Sequence, residues 1–214
     1  MKRSTNDAEA FNRYLTAEEE RRLLRTIARI DDVHAKRDHA WIRLMLNTGI
    51  RVGALAQFTV GDARQAVASK TFPLREEIQK RRQAHSLPLN REAEKALRDL
   101  LRLRKLQGYH NEDLEQPLIM GRKHRGLTVR SYQDRLSLWV REAGLPAEIS
   151  PHWLRHTMAK RLMATTTHHN PLGVVQVALG HRNISSTGMY TRPDKETLRE
   201  AMEGMRGVGR PKAH

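Results

Sequence analysis

Residues 150–192 read SPHWLRHTMAKRLMATTTHHNPLGVVQVALGHRNISSTGMYTR. Ser150 followed by Pro151 is an N-cap and first-turn pair, so a helix is expected from here to about Met163. His152 and Arg155 stand three apart and share one face of its opening turns. Residues 164–170 are polar and read as a surface loop. Pro171 opens a shorter, apolar helix that stops at Gly180. His181 follows at once, and Tyr190 comes nine positions after it. The stretch is therefore two helices and a segment, with basic side chains and a tyrosine at their ends.

Working outward, the upstream chain is also mostly helical in pattern. Thr16 with Glu19 makes a capping box, and Leu23, Leu24, Ile27 and Ile30 follow at helical spacing. A second helix is expected over residues 36–47, with Trp41, Leu44 and Met45 on one face and Gly49 as its stop. Residues 52–58 read as a short helical turn. Residues 60–89 lose the helical period and carry Pro73 and Pro88, which predicts a small antiparallel sheet or ribbon there. Asn90 caps a long amphipathic helix bearing Ala93, Ala96, Leu97, Leu100, Leu101 and Leu103. Residues 128–143 make a further helix with Leu136, Trp139 and Val140. A last short helix is expected over residues 195–205. The fold class read from this is mainly α with one small antiparallel β-sheet.

Composition narrows the function classes. The 214 residues carry 39 Lys+Arg against 24 Asp+Glu, a formal charge of +15, with 29 of the basic residues being Arg. Arginine's planar fork of donors matches phosphate oxygens in pairs. A basic domain of this size points to nucleic acid, because each neutralised phosphate releases counterions. A ribosome-associated protein and a lipid-surface binder are the alternatives. Mean hydropathy is −0.70, and no apolar run reaches the roughly 18–20 residues of a membrane span. The polar start MKRSTNDAEAFNRYLTAEEE has no apolar stretch typical of a signal peptide. Cysteine is absent, which excludes a disulfide scaffold, Cys-ligated zinc and thiol chemistry. A cytoplasmic, nucleoid-associated protein is expected.

Four motifs in order carry a resemblance. They are Thr48-Gly49-Ile50-Arg51, Lys80 in the expected ribbon ahead of Pro88-Leu89, His152-Trp153-Leu154-Arg155-His156, and Leu179-Gly180-His181 followed by Tyr190. HxxR alone is a weak signal; the four together, in order, are a strong one. The chain resembles the tyrosine recombinase (phage integrase) family over residues 15–206. The resemblance implies that family's catalytic-domain fold, of the DNA breaking-rejoining enzyme type. It implies a polar N-terminal tail at 1–14, a catalytic domain at 15–206 and a basic C-terminal tail at 207–214.

The resemblance also implies roles. Arg51 and Arg155 would clamp the non-bridging oxygens of one scissile phosphate. Tyr190 would be the nucleophile that forms a 3′-phosphotyrosyl link. His152 would accept its proton, and His181 would hydrogen-bond the phosphate or the attacking oxygen. Lys80 would protonate the departing 5′-oxygen; it is preferred over Lys70, Arg81 and Arg82 because it lies eight positions before Pro88, which resembles the family's hairpin register. His156 would be a supporting neighbour. No metal and no cofactor are implied. His152 with His156 and His168 with His169 are rejected as zinc sites, since no Cys or suitably spaced carboxylate completes them. The expected partner is double-stranded DNA, bound by four protomers that are monomers in solution, with residues 196–205 docking into a neighbour and a possible accessory DNA-bending protein.

Two features depart from the pattern. An acidic residue often stands three positions after the first arginine, where this chain has Ala54. Only about 14 residues precede the catalytic part, which leaves no room for the helical domain many members carry there. A minimal stand-alone recombinase and an excised catalytic fragment both fit. A topoisomerase-like or telomere-resolving activity on the same fold, a DNA-binding protein that does not cut, and a metal-dependent nuclease are the competing functions.

Overall fold

The computed structural model describes residues 13–74, 85–121 and 124–180. The chain forms α1 (Ala17–Ala28), α2 (Val33–Thr48), α3 (Val52–Leu55), α4 (Val60–Ser69), β1 (Thr71–Leu74), β2 (His85–Pro88), α5 (Arg91–Leu106), α6 (Val129–Glu142), α7 (Pro151–Thr165) and α8 (Pro171–Leu179). The strands pair antiparallel, with Thr71 opposite Pro88 and Phe72 opposite Leu87. The mainly helical class with one small sheet is what the sequence predicts.

Helix α2 is the axis. Asp32 caps it, its carboxylate accepting from the amides of His34 and Ala35 at 2.9 Å. Almost every side of the helix is buried: Ala35, Ala40, Trp41, Ile42, Leu44, Met45 and Leu46 all leave water. A helix buried on all sides needs neighbours on all sides. Helix α5 supplies one face with Ala93, Ala96, Leu97, Leu100 and Leu103, and α1 another with Leu23 and Ile27. Buried Asp38 joins α2 to α6, accepting from Arg37 on its own helix, from Trp41 at 3.1 Å, from Trp139 at 2.8 Å and from Arg135. That many donors offset the cost of burying a carboxylate.

Two expectations need correcting. Residues 60–69 are helix α4, not ribbon; only 71–74 and 85–88 pair as strands. Thr59 and Asp62 form a reciprocal capping box at the start of α4. Val60, Ala63 and Ala66 are its buried stripe, and alanines gave too faint an apolar period to register. Ile30 lies beyond the end of α1 and is 45% exposed, so it does not continue that helix's apolar face. Helix α2 also starts three residues earlier than its apolar spacing suggests, because the Asp32 cap decides its start.

A second, smaller apolar group sits between α7 and α8: Met158, Ala159, Val175, Ala178 and Leu179, with Leu87 from β2 against it. This group packs α7 and α8 onto the end of α2. Three separate motifs of the sequence meet there.

Candidate active site

Thr48 ends α2. Its hydroxyl donates to the Leu44 carbonyl at 2.8 Å and accepts from the Ile50 amide at 3.3 Å. Gly49 follows in the left-handed conformation, φ +62°, with its amide on the Met45 carbonyl at 2.9 Å. A Cβ at this position would lie 2.5 Å from Met158 Cε and 3.1 Å from Leu179 Cδ2. Glycine is therefore required twice, once for the backbone and once for the close approach of α7 and α8. Arg51 then turns the chain: it is extended (φ −69°, ψ 141°), half-buried, and serves as the N-cap of α3.

Arg155 projects from α7 and is only 6% exposed. Its Nη1 donates to the Gly49 carbonyl, and its Nη2 donates to the Leu179 carbonyl at 2.7 Å. One guanidinium thus ties the turn that leads to Arg51 to the end of α8. Gly180 terminates α8, again left-handed at φ +61°. A guanidinium has five N–H donors, and two of those of Arg155 go to these carbonyls.

His152 lies on the first turn of α7 and is exposed. Ser150 is the N-cap position, as expected, but its side chain makes no capping hydrogen bond; the Trp153 amide bonds the Ser150 carbonyl instead, at 2.9 Å. His156 is one turn on, its ring centroid 6.4 Å from that of His152. Burial pushes its pKa down to about 4, with electrostatic interactions from the His152, Arg155 and Arg13 side chains adding to the effect. His156 is therefore neutral at physiological pH, which spares Arg155 a second buried charge beside it.

The segment ahead of α1 packs on α7 as well. The Leu15 amide donates to the Thr157 hydroxyl at 2.8 Å, and Lys160 Nζ sits 5.2 Å from the centre of the Tyr14 ring. Both contacts are on the helix that carries His152, Arg155 and His156.

Of the six site residues read from the sequence, the structure brings the Arg51 turn, His152 and Arg155 into one region. Lys80, His181 and Tyr190 lie outside the described residues. The bonds from Arg155 to main-chain carbonyls have no sequence signature, because every residue carries a carbonyl. Among the described residues no three His, Asp or Glu side chains gather as metal ligands, and no helix is long and apolar enough to cross a membrane.

Residues 13–197 match the phage integrase family. A tyrosine recombinase XerC from Chromohalobacter salexigens is 33% identical over 169 residues, which is 79% of this chain and 52% of that protein. A XerC from Caldanaerobacter subterraneus subsp. tengcongensis is 30% identical over 190 residues, 88% of this chain and 50% of that protein. The chain thus spans about half the length of these curated relatives. Among solved structures, XerA recombinase superposes with a TM-score of 0.68 at 22% identity, covering 92% of this chain and 64% of that one. XerH recombinase bound to its difH substrate in a pre-cleavage complex superposes with a TM-score of 0.67 at 25% identity, covering 90% of this chain and 54% of that one.

Proposed function

The chain belongs to the phage integrase family, and from that premise we propose that it cuts and rejoins duplex DNA through Tyr190. The observation that carries the reading is the Arg155 guanidinium, held at the meeting of the Thr48–Arg51 turn and the end of α8. An arginine so fixed is pre-oriented toward whatever its remaining donors meet. Phosphoryl transfer spreads negative charge over the equatorial oxygens, and fixed guanidinium forks stabilise that charge without reorganising.

In this reading Arg51 and Arg155 hold the scissile phosphate. The Tyr190 oxygen attacks phosphorus, and the bond from phosphorus to the 5′-oxygen breaks. The phenol proton goes to His152, since an unperturbed phenol has a pKa near 10 and needs a base. Lys80 gives a proton to the departing 5′-oxygen. His181 hydrogen-bonds the phosphate or the attacking oxygen. The 3′-phosphotyrosyl link keeps the bond energy, and a 5′-hydroxyl reverses the step to rejoin the strand. No metal takes part. Residues 15–206 form the catalytic unit. Four protomers act on two DNA sites, with residues 196–205 reaching a neighbour, and the cytoplasmic nucleoid is the place of action. The Tn1549 transposon integrase, solved in complex with transposon right end DNA, and XerH, solved bound to its difH substrate, support DNA as the partner.

The test is a nicked suicide duplex bearing the candidate crossover site, incubated in EDTA and run on a denaturing gel. A slowly migrating covalent band is expected, lost in Tyr190→Phe and in Arg155→Ala. Bound DNA with no band under any variant favours a binding protein that does not cut, the reading that Ala54 allows.

A further inference from the structure

Ala54 is buried one turn past Arg51. The fold meets the same region from another side. The end of a helix leaves its last carbonyls without intrahelical partners. At the end of α2 these carbonyls are gathered by arginines from α7. Arg155 takes the Gly49 carbonyl. Arg161, six residues further along α7, takes the Leu46 carbonyl through Nη2, and the same nitrogen lies 3.4 Å from Asn47 Oδ1. Its Nη1 donates to both carboxylate oxygens of Glu20 on α1, at 3.1 and 3.3 Å. Asn47 is held in turn: its Nδ2 donates to the Arg43 carbonyl at 2.8 Å, and its Oδ1 accepts from Asn90 Nδ2 at 3.1 Å.

We propose that Arg161, braced by Glu20, is a positioning residue that fixes the last turn of α2 so that the following turn presents Arg51 in register with Arg155. Three helices meet in this brace. Helix α1 supplies the carboxylate, α7 the guanidinium and α2 the backbone that is held. A planar fork is needed, because one side chain must reach a carbonyl and a carboxylate in different directions. The Arg161 and Glu20 side chains are 40% and 19% exposed. An ion pair this open contributes little to overall stability, so its loss leaves the fold standing and loosens the turn. The inference rests on the proposed strand-transfer reading for its effect on rate, though not for its effect on geometry.

The test has two arms on the full chain. In the first, the Nε–Hε resonance of Arg51, assigned by comparison with Arg51→Lys, is followed by nuclear magnetic resonance in the DNA-free protein. Arg161→Ala and Glu20→Gln are expected to shift or broaden it. An unchanged resonance in both variants overturns the proposal. In the second arm, single-turnover adduct formation and DNA affinity are measured on the nicked duplex. Arg161→Ala is expected to slow adduct formation by about 100-fold while affinity changes by no more than about threefold. Arg161→Lys recovers part of the rate, and Arg161→Ala adds nothing further in an Arg51→Ala background. A full additional loss in that background, or a wild-type rate for Arg161→Ala, also overturns it. If the wild-type chain forms no adduct, the strand-transfer reading fails, and the Arg51 resonance alone decides the positioning claim.

Discussion

Arg155 shows how one side chain can be both a candidate catalyst and a fastener. Two of its donors go to carbonyls of Gly49 and Leu179, residues 106 and 24 positions away. The HxxR motif made Arg155 visible in the sequence; nothing made its partners visible, because a carbonyl has no sequence signature. His156 shows the reverse. The sequence marks it only as a neighbour of the motif, and the structure gives it a measurable property. Its pKa is about 4 in the folded chain, against an ordinary value near 6.5. Between those values the unfolded chain binds a proton that the folded one does not. Stability is therefore complete above pH 6.5 and falls as pH drops through the window toward 4, after which this contribution is spent. His39 is shifted in the same direction, chiefly by burial. Urea unfolding at pH 7, 5.5 and 4 is expected to show a smaller acid loss in His156→Gln than in the wild type. Equal losses contradict the assignment.

At the scale of elements, the junction between α2, α7 and α8 depends on a residue with no side chain. Gly49→Ala forces a left-handed conformation on alanine, at about 1–2 kcal/mol. It also drives a methyl to 2.5 Å from Met158 Cε, and overpacking of that kind costs about 1–3 kcal/mol. The variant is expected to lose about 2–5 kcal/mol in denaturant unfolding. In a Met158→Ala background, whose own cavity cost is measured separately, Gly49→Ala is expected to cost only the backbone part. A Gly49→Ala chain as stable as wild type removes the argument for this junction. The helices with strong apolar stripes, α5 and α6, were legible because burial on one face leaves a period of 3.6 in the sequence. Helix α4 was not, since its buried stripe is one valine and two alanines. Its Thr59–Asp62 capping box was the signal available and carried the correct answer. The hairpin was legible in kind and overdrawn in length, its prolines standing inside the paired strands: Pro73 faces Ser86, and Pro88 faces Thr71.

At the scale of the molecule, order of motifs mattered more than any motif. HxxR occurs by chance in many chains; with TGxR before it and LGH and Tyr190 after it, the family was readable from sequence, and the match over residues 13–197 agrees. The site was readable in part. The turn that leads to Arg51 meets the helix bearing His152 and Arg155, Lys80, His181 and Tyr190 fall outside the described residues, and the brace from Arg161 to the end of α2 needed three helices packed before it existed. The charge of +15 gives the whole chain a second expected behaviour. DNA affinity should fall by about a thousandfold or more between 50 and 200 mM salt if several phosphates are neutralised. A flat response in a mobility-shift titration contradicts a phosphate-gripping surface.

The central claim is that Tyr190 carries the DNA, and the trapped adduct tests it most directly. The adduct formed on the nicked duplex is digested with nuclease and protease, and the modified peptide is sequenced by mass spectrometry. The account predicts a nucleoside 3′-phosphate attached to Tyr190 and to no other residue. A nucleotide on a different side chain, or cleaved DNA with no covalent protein at all, would contradict it.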